Sequence, residues 1–185
     1  MANCTALEGI LKSCDNNIGG IRTVWLWDME DQNSITEDTT NWEITALDVT
    51  GTSSPASFQG EEFQFIRNGS NYTEEATIDL ANGSTFTTVN LNLMFTRREA
   101  DKSKSIMLLA EGQRYLGGLV LDSNGIYWIF QDLQLSASTE GSGQAKADGS
   151  KYNVTLMAEV ADFAKVIDDS VSPNPITQLL TTGQF

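Results

Sequence analysis

The sequence predicts a mainly β fold: a β-sandwich or barrel with one flanking α-helix and a long hairpin. Its uncharged polar residues are mostly Ser, Thr, Asn, Gln and Gly, a composition typical of strands and turns. Short runs of alternating apolar and polar residues recur along the chain, separated by turn sequences rich in Gly and Asn. A single stretch, Thr96–Gly112, has the features of a long helix. Together these observations favour packed strands over a helical architecture.

The first quarter of the chain contains a helical pattern and two strand patterns. Apolar residues at helical spacing predict a short helix over Thr5–Ser13. Alternating residues predict strands over Ile21–Met29 and Asn41–Val49. The acidic and polar stretch Glu30–Thr40 between these strands is predicted to be a loop.

A hairpin is predicted in the middle of the chain. The alternating runs Phe58–Arg67 and Tyr72–Leu80 flank the turn sequence Asn68-Gly69-Ser70-Asn71. Asn-Gly between two alternating runs is a strong short-range hairpin signal. After a second turn at Asn82-Gly83, the run Thr85–Phe95 predicts another strand with one apolar and one amide-rich face.

The second half begins with the longest predicted helix, inside Arg97–Glu111. Because an isolated helix of this length is marginal in water, we expect Ile106 and Leu109 to pack against a sheet. The stretch Glu140–Ser150 is predicted to be a Gly/Ser/Ala loop. Strand patterns occupy Leu119–Leu121, Ile126–Phe130, Leu133–Ser138 and Lys151–Val160.

The chain length and its composition predict one domain and a tail. A chain of 185 residues is large enough for one domain with a proper core, and the strand patterns end near residue 167. We therefore expect a β domain over 1–167. The remaining stretch, 168–185, is predicted to be a disordered tail or an arm laid on a neighbour, and its apolar residues Leu179, Leu180 and Phe185 favour the arm.

The charge balance excludes tight binding of nucleic acid as an expected function. There are 25 acidic residues, 11 basic residues and no His, which gives a formal net charge of −14. A protein that grips a duplex needs Lys and Arg to displace counterions from phosphates. The acidity suits either solubility or a surface that DNA passes without sticking.

Cysteine usage and hydropathy give two further expectations. Cys4 and Cys14 lie at opposite ends of the predicted short helix, too far apart for a disulfide, so we expect them not to be bonded. The stretch Met1–Leu11 lacks a basic segment followed by an apolar run, and no apolar run reaches the ~20 residues that span a bilayer. These patterns predict a soluble chain made in the cytoplasm, with no membrane partner.

No common catalytic apparatus is complete in the sequence, which predicts that the chain is not an enzyme. It has no His for base catalysis, no GxSxG elbow, no phosphate-binding loop and no dinucleotide fingerprint. Glu61 with Glu74 is a conceivable acid pair, but adjacent acids on a polar strand are more typical of a solvated face. The segment Asp122-Ser123-Asn124-Gly125 has calcium-type oxygens, although its spacing is that of an ordinary hairpin turn. We expect no catalytic residue, no metal site and no cofactor.

Aromatic residues fall mainly on predicted strands. They are expected to fill a core or a subunit contact, although the tryptophans are also compatible with a sugar-binding cleft. The residues in question are Trp25, Trp27, Trp42, Trp128, Phe63 and Phe65.

The order of features resembles a known family of virion proteins. The segments that carry the resemblance are the opening LEGILKSCDNNIGGI at 7–21, the central polar hairpin followed by strand and helix, LVLDSNGIYW at 119–128 and GSKYNVTL at 149–156. They resemble virion proteins of tailed bacteriophages that infect Bacteroidetes-type hosts, and most of all the tail tube proteins. The resemblance covers most of residues 4–167.

This resemblance implies a tail-tube-like β-sandwich or barrel that polymerises as stacked, usually hexameric rings around a channel for DNA. It implies contacts with further copies and with other virion tail proteins, and a location in the virion tail after assembly in the host cytoplasm. The predicted hairpin Phe58–Leu80 would form a channel wall. The lumen-facing candidates are Glu62, Gln64, Glu75 and Asp79.

Two other function classes remain open at this point. A head–tail connector or a capsid decoration protein would share the same fold and chemistry. A carbohydrate-binding, adhesin-like β-sandwich would instead display its tryptophans in a cleft.

Overall fold

The computed structural model describes residues 10, 17–52, 58–65, 68–145 and 148–167, and it is mainly β, as predicted. One α-helix, α1, spans Ala100–Ala110, and short 3-10 helices span Met29–Asp31 and Glu111–Gln113. The strands are β1 (Ile21–Asp28), β2 (Ser34–Asp38), β3 (Glu43–Asp48), β4 (Glu61–Phe63), β5 (Asn71–Asp79), β6 (Ser84–Thr96), β7 (Leu116–Asp122), β8 (Tyr127–Gly141), β9 (Lys151–Val160) and β10 (Lys165–Ile167).

The strands form two sheets that share one long strand. The large sheet has the order β2-β3-β10-β8-β7-β1-β4, and the small sheet has the order β5-β6-β9-β8. The first half of β8 pairs with β7 and β10, whereas its second half, from Gln134, pairs with β9. Between the two halves, Asp132 has a positive φ of 57°. This left-handed residue marks the point where β8 passes from one sheet to the other.

Core 1 lies between the two sheets. It combines buried side chains of β1, β7 and β8 with those of β6 and β9. On β6 the buried residues alternate with partly exposed ones, as a strand with one covered face requires. The fully buried members include Leu91, Leu133 and Leu156, each 0% exposed.

Core 2 lies on the opposite face of the large sheet. Trp25 and Trp27 point into it from β1, while Val24 and Leu26, which alternate with them, point into core 1. Core 2 also contains residues of β3 and β10, which places distant strands of the sheet around one cluster. The Gln59 amide donates to the Val49 carbonyl at 2.9 Å, so the segment before β4 bonds to the segment after β3. The large sheet is therefore curled in the manner of a barrel.

The helix α1 packs beside β8, near the point where this strand passes from one sheet to the other. It lies inside Arg97–Glu111, and Ile106 is buried in core 1 with Leu109 packed against it, as predicted. The buried Tyr152 of β9 holds the start of the helix, because its hydroxyl accepts from the Glu99 amide and donates to the Glu99 carbonyl, both at 3.0 Å. The Tyr152 hydroxyl thereby fixes the backbone of Glu99, whose carbonyl also accepts the first hydrogen bond of the helix, from the Ser103 amide at 3.0 Å.

The prediction of a hairpin over Phe58–Leu80 is wrong. β4 pairs with β1, and β5 pairs with β6 through the turn that follows Asp79. Phe63 packs against core 1, so burial of this ring together with the free edge of β1 outweighs the local Asn-Gly signal. Asn68 does take the positive φ of 62° that Asn tolerates, but the chain leaves this bend toward a different partner.

Three smaller predictions are also corrected. The stretch Glu30–Thr40 contains β2, whose acidic side chains are tolerated because β2 is the last strand of the large sheet. Trp42 lies in the turn before β3 with a φ of 62°, so it is not part of a strand. The predicted separate strands at 126–130 and 133–138 are one strand, β8, which continues into the predicted loop as far as Gly141.

Some predictions fall on residues that lie outside the described part of the chain. They are the short helix at Thr5–Ser13, the unbonded state of Cys4 and Cys14, and the arm or tail at 168–185.

Candidate functional site

The outward side of the small sheet is lined with hydroxyl and amide side chains, and we call it the polar face. Alternate residues of each strand point to it, opposite the residues that enter core 1. Its short polar members are Asn71, Thr73, Thr77, Ser84, Thr88, Asn90, Asn92, Thr96, Thr139, Asn153 and Thr155. On neighbouring strands the Thr155 hydroxyl donates to the Asn92 side chain at 3.0 Å. Phe86, Met94 and Met157 share this side, so the face is mainly polar, with three large apolar side chains and few charges.

The charges on the polar face are mostly negative. Glu75 lies opposite Thr88 in the β5–β6 pair, and Glu159 lies opposite the same threonine in the β6–β9 pair. Asp79 is on the outward side near the β5–β6 turn, and Lys151 is at the other end of β9. A phosphate chain moving over this surface would meet hydroxyls, amides and carboxylates, with a single lysine among the described members.

Both outer strands of the small sheet have an unpaired edge in the described residues. β5 pairs with β6 on one side, and no described strand pairs with its other side. The second half of β8 pairs with β9, and no described strand pairs with its far edge from Gln134 to Gly141. An open strand edge presents unpaired N–H and C=O groups that can pair with another chain.

Asp79 has a structural role that sequence reasoning did not assign. Its carboxylate accepts from the backbone amides of Ala81 and Asn82 and from the Asn82 side chain at 2.9, 3.2 and 2.6 Å. These hydrogen bonds lower the pKa of Asp79, with the Asn82 side chain contributing most. The residue therefore holds the β5–β6 turn as well as adding charge to the polar face.

Behind the polar face, the inner side of β5 carries two half-buried ionisable groups. Glu74 accepts a hydrogen bond of 2.6 Å from the Ala164 amide, and burial raises the pKa of its carboxyl despite that bond. Burial, with smaller contributions from Asp122 and Glu74, raises the pKa of Tyr72 to about 12. Glu74 thus ties the edge strand β5 to the segment before β10.

We expect Glu74→Gln to flatten part of the pH dependence of stability. The folded pKa of Glu74 lies above its ordinary value of 4.5, so the folded chain binds this proton more tightly than the unfolded chain. The wild-type carboxyl therefore adds stability as the pH falls through its folded pKa and loses that contribution as the pH rises. Gln stays neutral and keeps an oxygen for the Ala164 amide, so the variant lacks this slope.

Urea unfolding of the wild type and Glu74→Gln at several pH values between about 4.5 and 7 measures this effect. Glu75→Gln is the matched control, since it removes the same charge from the exposed side of the same strand. Equal pH slopes in the two variants would contradict the prediction.

Glu62 and Gln64 do not lie on the polar face. Glu62 is in β4 opposite Trp25 of β1, and its carboxylate accepts from the Gln64 side chain at 3.3 Å. Of the lumen-facing candidates, Glu75 and Asp79 share the outward side of the small sheet.

The aromatic candidates are spread over both cores and one turn. Trp25 and Trp27 are 6% and 2% exposed in core 2. Trp128 is half-buried and donates through Nε1 to Asp122 at 3.2 Å, and Phe63 and Phe65 pack against core 1. Trp42 is 41% exposed. These placements do not assemble a cleft lined by all four tryptophans.

The segment Asp122–Gly125 forms a hairpin turn between β7 and β8. The buried Asp122 carboxylate accepts from the amides of Asn124 and Ile126 at 2.8 and 2.9 Å, in addition to the Trp128 indole. Each Asp122 oxygen is therefore occupied by a donor of the protein, as an ordinary turn predicts.

A groove of about 380 Å³ lies where the end of β9 meets β8 and the segment before β10. Its floor is apolar, with Val89, Ile129 and Phe130, and its rim carries Glu37, Asp132, Glu159 and Asp162. Lys165 is 8% exposed at this groove, and its Nζ lies 2.5 Å from the Glu37 carboxylate, 3.8 Å from the Asp162 carboxylate and 5.1 Å from the centre of the Trp42 ring. This lysine offsets one of the rim carboxylates, so the rim keeps a net negative charge.

Sequence reasoning missed Glu159 and the groove. Glu159 sits in a correctly predicted strand, and its alternation with buried residues was a signal for the outward side. The groove combines residues from β3, β6, β8 and β9, and no local pattern joins segments that are so far apart in sequence.

The described residues form neither a metal-binding cluster nor a membrane-spanning helix. No group of three or more His, Cys, Asp and Glu side chains in these ranges is arranged to hold a metal ion. None of the helices described has both the length and the apolar character needed to cross a membrane.

Comparison with known proteins gives distant similarity to solved structures alone. No family model matches the sequence, and no curated protein matches it. Among solved structures, the crystal structure of Hcp1 from Salmonella typhimurium is similar at 14% sequence identity and a TM-score of 0.38. The match covers 80% of this chain and 100% of that chain.

Proposed function

We propose that this chain is a structural subunit of a phage tail tube, in which copies join side by side into rings that stack around a channel for DNA. The observation that carries the proposal is the small sheet, which combines a polar outward face with a strand edge on each side that no described strand pairs with. The sequence resemblance described above points to the same function class.

Ring formation follows from the two open edges. β5 and the second half of β8 are different surfaces, so pairing β5 of one copy with β8 of the next is a head-to-tail contact that repeats. Such pairing removes both open edges and joins the small sheets into one closed barrel. The polar face then becomes the inner wall, and the large sheet with core 2 lies outside.

The expected dimensions favour a ring of about six copies. Four strands per copy, about 4.8 Å between strands and a tilt of about 40° give a backbone diameter of roughly 45 Å for six copies. Three copies would give roughly half that diameter, and side chains would occupy much of the interior. The wider ring leaves an aqueous channel.

The chemistry of the polar face suits passage of DNA without capture. Glu75 and Glu159 repel phosphates, and the short amides and hydroxyls offer hydrogen bonds without releasing counterions. A net charge of −14 per copy strengthens this repulsion in a ring. We propose no catalytic step and no cofactor for this function.

Electron microscopy of the purified chain combined with cysteine labelling tests the proposal. We expect rings or tubes in negative stain. In a background with Cys4 and Cys14 replaced by Ser, Asn90→Cys places a thiol on the polar face, and Ser34→Cys places the control thiol on the exposed strand β2. In assembled tubes, Asn90→Cys is expected to react with a small maleimide and to be protected from a protein-sized maleimide polymer.

The control thiol at Ser34→Cys is expected to react with both reagents in tubes, and both variants should react fully as dissociated subunits. Isolated globules at all concentrations would contradict the tube function. If Asn90→Cys in tubes reacted with the large polymer as fast as Ser34→Cys, the polar face would not line the channel.

A further inference from the structure

Three Asn-Gly pairs occur in the chain, and in each of them the asparagine is exposed in a connection between strands. Asn68-Gly69 lies between β4 and β5, Asn82-Gly83 between β5 and β6, and Asn124-Gly125 between β7 and β8. An asparagine followed by glycine is especially prone to lose its side-chain amide, because glycine has no Cβ to hinder attack by its backbone nitrogen. The three sites share this dipeptide and this exposure, so their hydrogen bonds decide how they differ.

Loss of the amide requires two groups to be free. The backbone nitrogen of the glycine attacks Cγ of the asparagine and forms a new C–N bond, while the amide leaves as ammonia with the proton of the attacking N–H. Water then opens the resulting succinimide ring. Opening at the Cγ carbonyl gives aspartate, whereas opening at the main-chain carbonyl gives isoaspartate, in which the backbone runs through the former side chain. A hydrogen bond that holds either the carboxamide or the following N–H therefore opposes the reaction.

In the β5–β6 turn both reacting groups are held by Asp79. The Asn82 carboxamide donates to the Asp79 carboxylate at 2.6 Å, and the Gly83 amide donates to the Asp79 carbonyl at 2.8 Å. The Asn82 backbone amide also donates to the Asp79 carboxylate, at 3.2 Å. Attack at Asn82 therefore requires at least two of these hydrogen bonds to open first.

The β7–β8 turn is restrained in a similar way. The Asn124 carboxamide accepts from the Ile18 amide at 2.8 Å and donates to the Asn17 side chain at 3.3 Å. The Gly125 amide donates to the Asp122 carbonyl at 3.2 Å. The carboxamide is thus held on the segment before β1, and the attacking N–H is occupied within the turn.

The connection between β4 and β5 lacks both restraints. Among the hydrogen bonds of the described residues, none involves the Asn68 carboxamide or the Gly69 amide. Asn68 has a φ of 62°, in the left-handed region that asparagine tolerates, and no described hydrogen bond fixes its side chain there. Rotation that brings the carboxamide to the next nitrogen therefore breaks no described hydrogen bond of either group.

We infer that Asn68-Gly69 is a site of spontaneous deamidation, and that hydrogen bonds protect the other two Asn-Gly turns. The substrate is the Asn68 carboxamide, and the co-reactant is water. Each event replaces a neutral side chain with a carboxylate, so the formal net charge of −14 becomes one unit more negative. Formation of isoaspartate also lengthens the backbone by one methylene group.

The fold is expected to tolerate the product. Phe65 packs against core 1 before the site, and the buried Ser70 accepts a hydrogen bond from the Met94 amide through its Oγ at 3.1 Å after the site. The exposed Asn68 lies between these two anchors, in a connection that belongs to neither sheet. The chain thus acquires charge at this connection as it ages, while its strand pairing persists.

Peptide mapping of aged protein by mass spectrometry tests the inference. Folded, dissociated subunits are incubated at mildly alkaline pH, and samples are compared with a portion taken at the start. Trypsin cleaves after Arg67 and Arg97, so Asn68 and Asn82 fall in one peptide and fragmentation compares them directly. We expect Asn68 to deamidate at least about tenfold faster than Asn82 or Asn124, since opening two hydrogen bonds lowers the reactive population by roughly that factor. In urea the three rates are expected to converge.

Asp79→Ala tests whether hydrogen bonding is the cause of protection. It removes the carboxylate that holds Asn82, so the Asn82 rate is expected to rise about fivefold while Asn124 stays slow. Glu75→Ala is the matched control, because it removes a charge from the exposed side of the same strand and leaves the turn intact. Asn68→Asp, which carries the charge of the product, is expected to unfold at the same urea concentration as the wild type.

Equal rates at the three sites in folded wild-type subunits, or a rate at Asn68 below that at Asn82, would overturn the inference whatever the variants do. An Asn82 rate in Asp79→Ala no higher than in Glu75→Ala would show that hydrogen bonds do not protect the β5–β6 turn. A lower urea midpoint for Asn68→Asp would overturn the tolerance of the product.

Discussion

Leu156→Ala is expected to lower the free energy of unfolding by about 2–5 kcal/mol. Leu156 is 0% exposed in the middle of β9, where it lies opposite Leu91 on β6 and Leu135 on β8. Truncation removes apolar contacts and leaves a cavity at the junction of three strands. The surrounding sheet cannot collapse into that cavity without disturbing two strand ladders.

Urea unfolding of dissociated subunits, followed by tryptophan fluorescence, measures this loss. Met157→Ala is the matched control, because Met157 is the next residue on β9 and is 37% exposed on the polar face. Surface changes of this kind usually stay within about 0.5 kcal/mol. A loss in Leu156→Ala no larger than that in Met157→Ala would contradict the assignment of core 1.

Gly117→Ala is expected to destabilise the fold by about 1–3 kcal/mol, although it adds a single methyl group. A Cβ atom at Gly117 would lie 2.2 Å from Cε2 and Nε1 of the Trp27 indole. Trp27 is 2% exposed in core 2, so its ring has no free space into which it can move. The indole Nε1 also donates to Gln32 at 3.2 Å, and displacing the ring would break that hydrogen bond.

Thermal unfolding of dissociated subunits detects this change, with Gly141→Ala as the control. Gly141 is also in a strand, and a Cβ atom there would meet nothing within 4 Å. Alanine at such a site restricts the unfolded chain and is expected to be neutral or stabilising by about 0.4–1 kcal/mol. Equal melting temperatures for the two variants would show that the indole does not lie against Gly117.

These core variants also separate folding from assembly. Met157→Ala changes the polar face without touching core 1, whereas Leu156→Ala weakens core 1 without touching the polar face. Under the proposed function, assembly by folded Leu156→Ala subunits at low temperature should follow the wild type. Its defect should appear as faster loss of subunits on heating.

Local sequence patterns predicted the strands that have one covered face. On β6 and β9 every second residue is buried, and the predicted Lys151–Val160 has the observed bounds of β9. The helix was predictable for a similar reason, because Ile106 and Leu109 share one side of a helical pattern. Alternation and helical spacing depend on one segment and one covering surface, so a linear sequence contains them.

Strand partners were not predictable from the same patterns. The Asn68-Gly69 sequence favoured pairing of its two neighbours, but Phe63 contributes more by packing in core 1 while β4 pairs with β1. β2 was missed because its side chains are mostly polar. It is a strand because it pairs with β3 at the end of the large sheet. The turn propensity of a few residues is outweighed by the burial of apolar side chains, which depends on the whole fold.

The sequence by itself therefore determined a mainly β domain, its single long helix, the alternating faces of β6 and β9, and an excess of negative charge. Only the tertiary structure decided that β5, β6, β9 and half of β8 form one sheet with a polar face and open edges. It also decided that residues from β3, β6, β8 and β9 meet in one groove with an acidic rim. The physical reason is range: alternation and charge are properties of neighbouring residues, whereas a face, an edge or an end exists only after distant segments have paired and buried a shared core.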